Sequence, residues 1–226
     1  MQHIDLENRD VRGLNQQLQR RDGNELTQFE IRNPMGQHAI AAGCMHDIEV
    51  HVHGHVGYYC AGMNQQASIA IHGNAGVGVA ENMMSGTVRV TGDASQSAGA
   101  TAHGGLLVIE GNASARCGIS LKGADIVVGG SVGHNSAFMA QAGRLVICGD
   151  AEDGLGDSIY EAVIYVQGSV AGLGADCVEK PMTDTHVGSL SDLLKAANIA
   201  ADASTFKRYG SARALYNFNV DNIEQY

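Results

Sequence analysis

Between residues 49 and 168 the chain repeats one short pattern, x-aliphatic-x-aliphatic-x-Gly, at a spacing of nineteen residues that never slips. The aliphatic pairs are Val50/Val52, Ile69/Ile71, Val88/Val90, Leu107/Ile109, Ile126/Val128, Leu145/Ile147 and Ile164/Val166. The glycines that follow are Gly54, Gly73, Gly92, Gly111, Gly130, Gly149 and Gly168. Alternation at every second residue places each pair on one face of a short strand. A glycine directly after a strand suits a bend, including one that requires a positive φ. Two further positions in the period accept only small apolar residues. Two after the glycine stand Val56, Ala75, Ala94, Ala113, Val132, Ala151 and Val170; seven after it stand Ala61, Ala80, Gly99, Gly118, Ala137, Gly156 and Ala175.

One such coil buries two large side chains, too little to offset the backbone entropy of ordering nineteen residues. Stability must come from coils stacked one strand spacing apart, like residue over like. The predicted fold is an all-β solenoid, a right-handed parallel β-helix of about seven coils. A left-handed hexapeptide helix advances in sixes, which nineteen does not fit, and the leucine-rich pattern is absent. The array runs from Glu49 to Pro181, with Pro34 just before it, and these are the chain's only two prolines.

A stacked sheet ends in open edges and exposed core, so both ends need covers. Residues 1–48 form the predicted N-terminal helical cap and lead-in, in which Val11, Leu14 and Leu18 fall at helical spacing. Residues 182–226 form a C-terminal helix and an extended arm. There SLSDLLKAANIAA offers Ser189 and Ser191 as helix caps, with Leu190, Leu193, Leu194 and Ala197 on one face. The arm, KRYGSARALYNFNVDNIEQY, is expected to wrap the column or a neighbour.

The 226 residues include 30 glycines, 44% hydrophobic residues and 5% aromatics, with no tryptophan. Collagen requires strictly periodic glycine with abundant proline, and a flexible linker lacks this hydrophobic content. A formal charge of −10 opposes binding to nucleic acid or to anionic lipid. No apolar run reaches a membrane-spanning length, and the polar opening MQHIDLENRD is unlike a signal peptide, so a cytoplasmic location is expected. Cys44, Cys60, Cys117, Cys148 and Cys177 include no CxxC and read as reduced, mostly buried thiols; Cys60 and Cys117 occupy equivalent coil positions.

The chain's chemistry is sparse. His51, His53 and His55 alternate on the first strand of the array, and His72 lies one coil above His53. Imidazoles so placed can ligate a transition metal, but no carboxylate repeats in register to orient them, which favours plain polar surface. The stretch GDAEDGLGDS collects Asp150, Glu152, Asp153 and Asp157 without the spacing of a calcium loop, and reads as a solvated acidic loop. Gly73, Gly76 and Gly78 match no nucleotide fingerprint, and no Ser–His–Asp or Cys–His arrangement stands out. No residue is assigned as catalytic, cofactor-binding or metal-binding. The outward ladder three residues before the glycines is His51, Ala70, Arg89, Val108, Val127, Val146 and Tyr165. Its apolar half predicts a subunit interface through Val108, Val127, Val146 and Tyr165.

The phrases GNAGVGVAENMMSGTVRVTGDAS and AGATAHGGLLVIEGNAS resemble the GxGxG β-helix domain at the C-terminus of the glutamate synthase large chain, over about residues 35–180. VGYYCAGMNQ, EGNASARCGISLKG, LGDSIYEA, LGADCVEK and RYGSARALYNFNVDN resemble the stand-alone β-helix subunit of N-methylglutamate synthase, over nearly the whole chain. The resemblance implies a noncatalytic linking subunit in an enzyme that makes N-methylglutamate from methylamine and glutamate. Its implied partners are a glutamine-amidotransferase-like subunit and an FMN-binding synthase subunit that also carries an iron–sulfur cluster, with no cofactor in this chain. A class II amidotransferase needs a cysteine at position 2, where this chain has Gln2. The alternative within the resemblance is a β-helix subunit of glutamate synthase or of another amidotransferase-coupled flavoenzyme. A β-helix acting on polysaccharide would cluster carboxylates and basic residues on one outer face, and an ice-binding one would repeat Thr-x-Thr; neither pattern is present.

Overall fold

The computed structural model describes residues 1–20 and 27–213. Its elements in chain order are β1 (Gln2–Asp5), α1 (Val11–Leu18), β2 (Gln28–Arg32), β3 (Glu49–His53), β4 (Ser68–His72), β5 (Thr87–Val90), β6 (Leu106–Ile109), β7 (Lys122–Val128), β8 (Ala142–Ile147), β9 (Val163–Val166), β10 (Cys177–Lys180), α2 (Asp184–Ala196) and β11 (Lys207–Ser211). Strands β1 to β9 stack in sequence order as one parallel sheet, closed at its far end by the antiparallel strands β11 and then β10. The fold is a parallel β-solenoid with short helices. From β3 to β9 strand residues pair nineteen positions apart, as in Val50↔Ile69 and Leu107↔Ile126, except at the start of β7, where Lys122 lies opposite Ala142 and the register shifts before Asp125. A second ladder of single bridges joins Val56, Ala75, Ala94, Ala113, Val132, Ala151 and Val170. All fourteen paired aliphatics line the core, none more than 1% exposed.

The sheet reaches further toward the N-terminus than the nineteen-residue spacing marks. β2 pairs with β3 in full register, but Arg32 lies opposite His53, twenty-one positions on, so this coil breaks the period by two residues. β1 adds one more strand, and α1 occupies the turn between β1 and β2. Asp10 caps α1 by accepting the Gly13 N–H at 2.6 Å, and Leu14 and Leu18 enter the main core. At the other end Cys177 and Tyr209 close the same core from β10 and β11. Of the predicted C-terminal arm, residues 207–213 are accounted for by β11 and the turn after it, and 214–226 lie outside the described residues.

The corner glycines answer to space more than to φ. Only Gly54 among the seven has a positive φ, 132°. At the others the obstacle is the coil below. A Cβ on Gly92 would lie 2.1 Å from Asn74 Oδ1, on Gly111 2.4 Å from Asp93 Oδ1, and on Gly168 2.4 Å from Asp150 Oδ1. Those atoms belong to a polar ladder one residue past the corner. Asn74 N–H donates to His55 Nδ1, Asp93 N–H to Asn74 Oδ1, Asn112 N–H to Asp93 Oδ1, Ser131 N–H to Asn112 Oδ1, Asp150 N–H to Ser131 Oγ and Ser169 N–H to Asp150 Oδ1, all within 2.7–3.0 Å. Each rung satisfies a backbone donor at a bend where the strand ladder has stopped.

Left-handed backbone sits elsewhere in the period. Residues five, seven and nine after the corner share positive φ, as in Tyr59, Ala61 and Met63, or Arg116, Gly118 and Ser120. Their N–H groups alternate between neighbouring coils: Tyr59 donates up to Val77, Ala61 down to Ile40 and Met63 up to Glu81. The middle position faces the core and holds only alanine or glycine, whereas exposed Tyr59 and Arg116 accept the same φ. Burial, not φ, selects the small residue there. The last coil departs from this pattern, since Ala175 is exposed and the positive φ falls on Asp176.

Gly111→Ala should destabilise the protein by about 2–4 kcal/mol, because its Cβ meets both a ladder carboxylate and the Gly92 carbonyl. Gly188→Ala, in α2 with open space around it, should stabilise by about 0.5–1 kcal/mol. Urea denaturation of the two variants checks the pair.

Candidate functional site

The outer face of the sheet divides in two. Over β6 to β9 it is covered by the chain's own C-terminal helix: Val108, Val127, Val146 and Tyr165 form a separate buried cluster with Leu190, Leu193, Leu194, Ala197, Ala203 and Phe206. This corrects the subunit interface expected at those four residues. Val108, Val127 and Val146 are 0% exposed and Tyr165 2%, and what buries them is α2 with the segment behind it. The helix begins earlier than Ser189 or Ser191. Thr183 is its N-cap and is paired with His186, whose Nδ1 accepts the Thr183 N–H at 3.3 Å. α2 lies along the sheet's flank, and its end is pinned where Arg89 donates to the Ala197 carbonyl at 2.5 Å and pairs with Glu110 at 2.8 Å. Arg144 holds the middle, gripping Asp125 with two bonds of 2.6 Å and reaching Ser189 Oγ at 2.8 Å. Hydrogen bonding and the Asp125 charge push the Arg144 pKa up against the opposing effect of burial.

Beyond Arg89 the outer face carries polar side chains from β1 to β4. His51, His53 and His72 cluster there with ring centroids 4.8 Å (His53–His72), 5.4 Å (His51–His72) and 6.5 Å (His51–His53) apart. His51 Nδ1 meets His72 Nε2 at 3.1 Å, and the planes differ by 7°, so these two rings lie edge to edge. His51 Nε2 bonds Glu49 at 2.9 Å, and His53 Nε2 bonds Glu30. The absence of orienting carboxylates expected from sequence is therefore overturned: Glu49 comes from the same strand, and Glu30 from the coil that breaks the period. Both carboxyls are held below their usual pKa, chiefly by these histidine bonds, and His72 is pushed down by burial first and then by His53 and His51. His55 stands apart from this cluster, as the first acceptor of the corner ladder.

The acidic stretch disperses. Asp150 is a rung bonded to Ser169, and Glu152 accepts the His134 N–H at 3.0 Å. They border a shallow groove of about 480 Å³ lined also by Asn112, Ser131 and Ser169. Gly76 packs on the Gly57 backbone, with a Cβ placed 2.6 Å from its carbonyl carbon, which accounts for that glycine without a nucleotide. Cys44, Cys60, Cys117 and Cys177 are buried and Cys148 half-buried, all as free thiols. Burial raises Cys44 and Cys117 to about 12, Cys148 and Cys177 to about 11, and Cys60 further still. Among the described residues no group of three or more His, Cys, Asp or Glu side chains could hold a metal ion. No helix among them is long and apolar enough to cross a membrane.

The polar ladder and the Glu30 contact escaped sequence reading. A signal for the ladder exists, since every residue after a corner glycine from His55 to Ser169 is His, Asn, Asp or Ser, each with an acceptor near the backbone.

Fold and surface together define a parallel β-solenoid with a self-covered flank and a polar, histidine-bearing one. The chain is 55% identical over 225 residues to "Protein GlxC" of Rhizobium meliloti (strain 1021), covering 99% of each, and it belongs to that protein's family. No family model matches the chain, and no solved structure does.

Leu194→Ala should loosen the self-covered flank by about 2–4 kcal/mol. Amide exchange should then rise in α2 while β3 to β8 stay protected; equal loss of protection in both would show that helix and column are one cooperative unit. The thiols at about 11 to 12 are ionised only on the order of a thousandth or less at pH 8, so native protein should resist iodoacetamide until denaturant unfolds it. Rapid native labelling of Cys44 or Cys117 would contradict their burial.

Proposed function

We propose that the chain is a scaffold subunit of a glutamate-synthase-related complex, specifically N-methylglutamate synthase. In that role it holds a glutamine-amidotransferase-like subunit and an FMN-binding synthase subunit in register while contributing no catalytic group itself. The observation that supports this most is the continuous parallel pairing of strands from β1 to β9. Nine strands one spacing apart make a column of roughly 38 Å in which every coil is bonded to the next. A body of that kind does not flex at any single joint, and fixed spacing matters to coupled sites because a 1 Å displacement at a reacting centre can cost about a hundredfold in rate.

The chain's own groups fit this division of labour. Its cysteines sit in separate coils, four of them inside the core with raised pKa values, a donor set unsuited to an iron–sulfur cluster. The reading therefore assigns the FMN and the cluster to the synthase partner. The family relationship to Protein GlxC supports the glutamate-synthase-related part of this reading. A second reading, a β-helix subunit of glutamate synthase or of another amidotransferase-coupled flavoenzyme, keeps the scaffold role and changes only the substrate handled by the partners.

Co-expression with amidotransferase-like and FMN-synthase-like proteins from the same organism tests the proposal. The expected result is one complex of three chains that forms N-methylglutamate from methylamine and glutamate, with the purified chain alone colourless and inactive. A substantial rate from the chain alone, or an active pair of partners that neither binds nor needs it, would overturn the proposal. Formation of glutamate but not N-methylglutamate would select the second reading.

A further inference from the structure

We propose that the last turn of the column, residues 168–176, is a docking edge that takes an extended, basic segment of a partner protein as one further rung. This rests on the scaffold reading, which supplies the partner, and adds where one partner grips the column and by what chemistry. The strand side of this end is closed, because β11 pairs with β9 and β10 with β11. The free edge of β10 is itself blunted by Glu179, Lys180 and Pro181. The turn side has no such cover. In each coil from Val56 to Ala151 the residue two after the corner donates its N–H to the coil above, as Val132 does to Asp150 and Ala151 to Ser169. Val170 is the next in that row, and Leu173 lies one coil above Leu155, whose N–H donates to Gly172. Among the described residues no acceptor meets the N–H of Val170 or of Leu173. The side chains agree: Leu155 is 0% exposed and Leu173 40%. Unpaired N–H groups beside an apolar side chain are what an added strand occupies.

Charge decides the occupant. From Gly149 to Glu179 the chain carries seven carboxylates and no Lys, Arg or His. Arg213 pairs with Asp176 at 2.6 Å and Lys207 with Glu179 at 3.3 Å, and Glu152 lies 3.8 Å from His134. Asp153, Asp157 and Glu161 have no cationic partner among the described residues. Residues 214–226 hold Asp221 and Glu224 and no Lys or Arg, and a second copy carries the same formal charge of −10, so both meet this edge as like charges. A segment rich in Lys or Arg meets it as the opposite charge. Extended, it pairs its backbone with the Val170 and Leu173 N–H groups, lays an apolar side chain over Leu173 and sets its cations among the carboxylates.

Residue-resolved amide exchange of the full-length chain, alone and in complex with amidotransferase-like and FMN-synthase-like proteins from the same organism, tests the edge, together with the affinity of the chain for each partner. The Val170 and Leu173 amides should exchange readily in the isolated chain and become protected in the complex. Affinity for one partner should fall at least about tenfold in Leu173→Lys and in Asp153→Lys/Glu161→Lys, and should weaken as NaCl rises from about 0.05 to 0.5 M. Glu7→Lys/Asp47→Lys makes the same charge change at exposed positions outside the edge and should bind as the parent does. Far-UV circular dichroism confirms that each variant remains folded. Protection of Val170 and Leu173 in the isolated monomer would assign the edge to residues 214–226, and protection only in a self-associated form to a second copy; either would overturn the proposal, as would equal weakening in the control variant. Parental affinity in both edge variants would overturn it while leaving the scaffold reading intact, whereas a parent chain that binds neither partner removes that reading and the docking edge with it.

Discussion

Everything in this molecule depends on one constraint, the backbone hydrogen bonds that hold each coil one strand spacing above the last. At that spacing a residue's nearest neighbour is its own counterpart in the next coil, so each position must be compatible with a copy of itself. Branched aliphatics satisfy this in the strand, as in the Val50, Ile69 and Val88 stack. Small residues satisfy it where two surfaces approach, as in the row from Val56 to Val170. The ladder from His55 to Ser169 satisfies it with polar groups, because each side chain accepts from the backbone of its counterpart. From Gly92 to Gly168, glycine at the corner follows from that ladder, whose acceptor atom occupies the space a Cβ would need.

The same constraint explains why a chain with so many residues at positive φ is stable. An isolated non-glycine residue in the left-handed region costs roughly 1–2 kcal/mol. Here the conformation recurs at every second residue of the turn, which points successive N–H groups alternately to the coil above and the coil below. Backbone groups that a tight turn would otherwise leave unpaired each find a carbonyl, and the local strain is offset by that satisfaction. The turns are thereby bonded to the coils on both sides.

The two halves of the outer sheet face show how a solenoid becomes a particular protein. Over β6 to β9 the outward positions turned apolar together with the appearance of a helix that covers them, and Arg89 and Arg144 mark where that helix is anchored. Over β1 to β4 the outward positions, Ala70 apart, remained polar and gathered imidazoles and carboxylates. A scaffold reading makes the open flank available to other molecules.

Much of this was legible in advance, and the limits of legibility are physical. The period, the fourteen core aliphatics and the stacked architecture could be read because a solenoid converts tertiary contacts into a fixed separation along the chain, nineteen positions from Val50 to Ile69. Where the separation changed, reading stopped: the coil through β2 spans twenty-one positions, so Glu30 was not seen to lie beside His51. The stripe of Val108, Val127, Val146 and Tyr165 was correctly apolar but wrongly given to a partner. An amphipathic helix and an apolar stripe each announce a face to be covered, and neither names what covers it. By itself the sequence determined the coil, its register and its core, because those rest on a repeated local separation. Only the tertiary structure decided that α2 folds back on its own flank and that three histidines meet two carboxylates, because those contacts join segments such as Arg89 and Ala197, 108 positions apart, with no periodic relation between them.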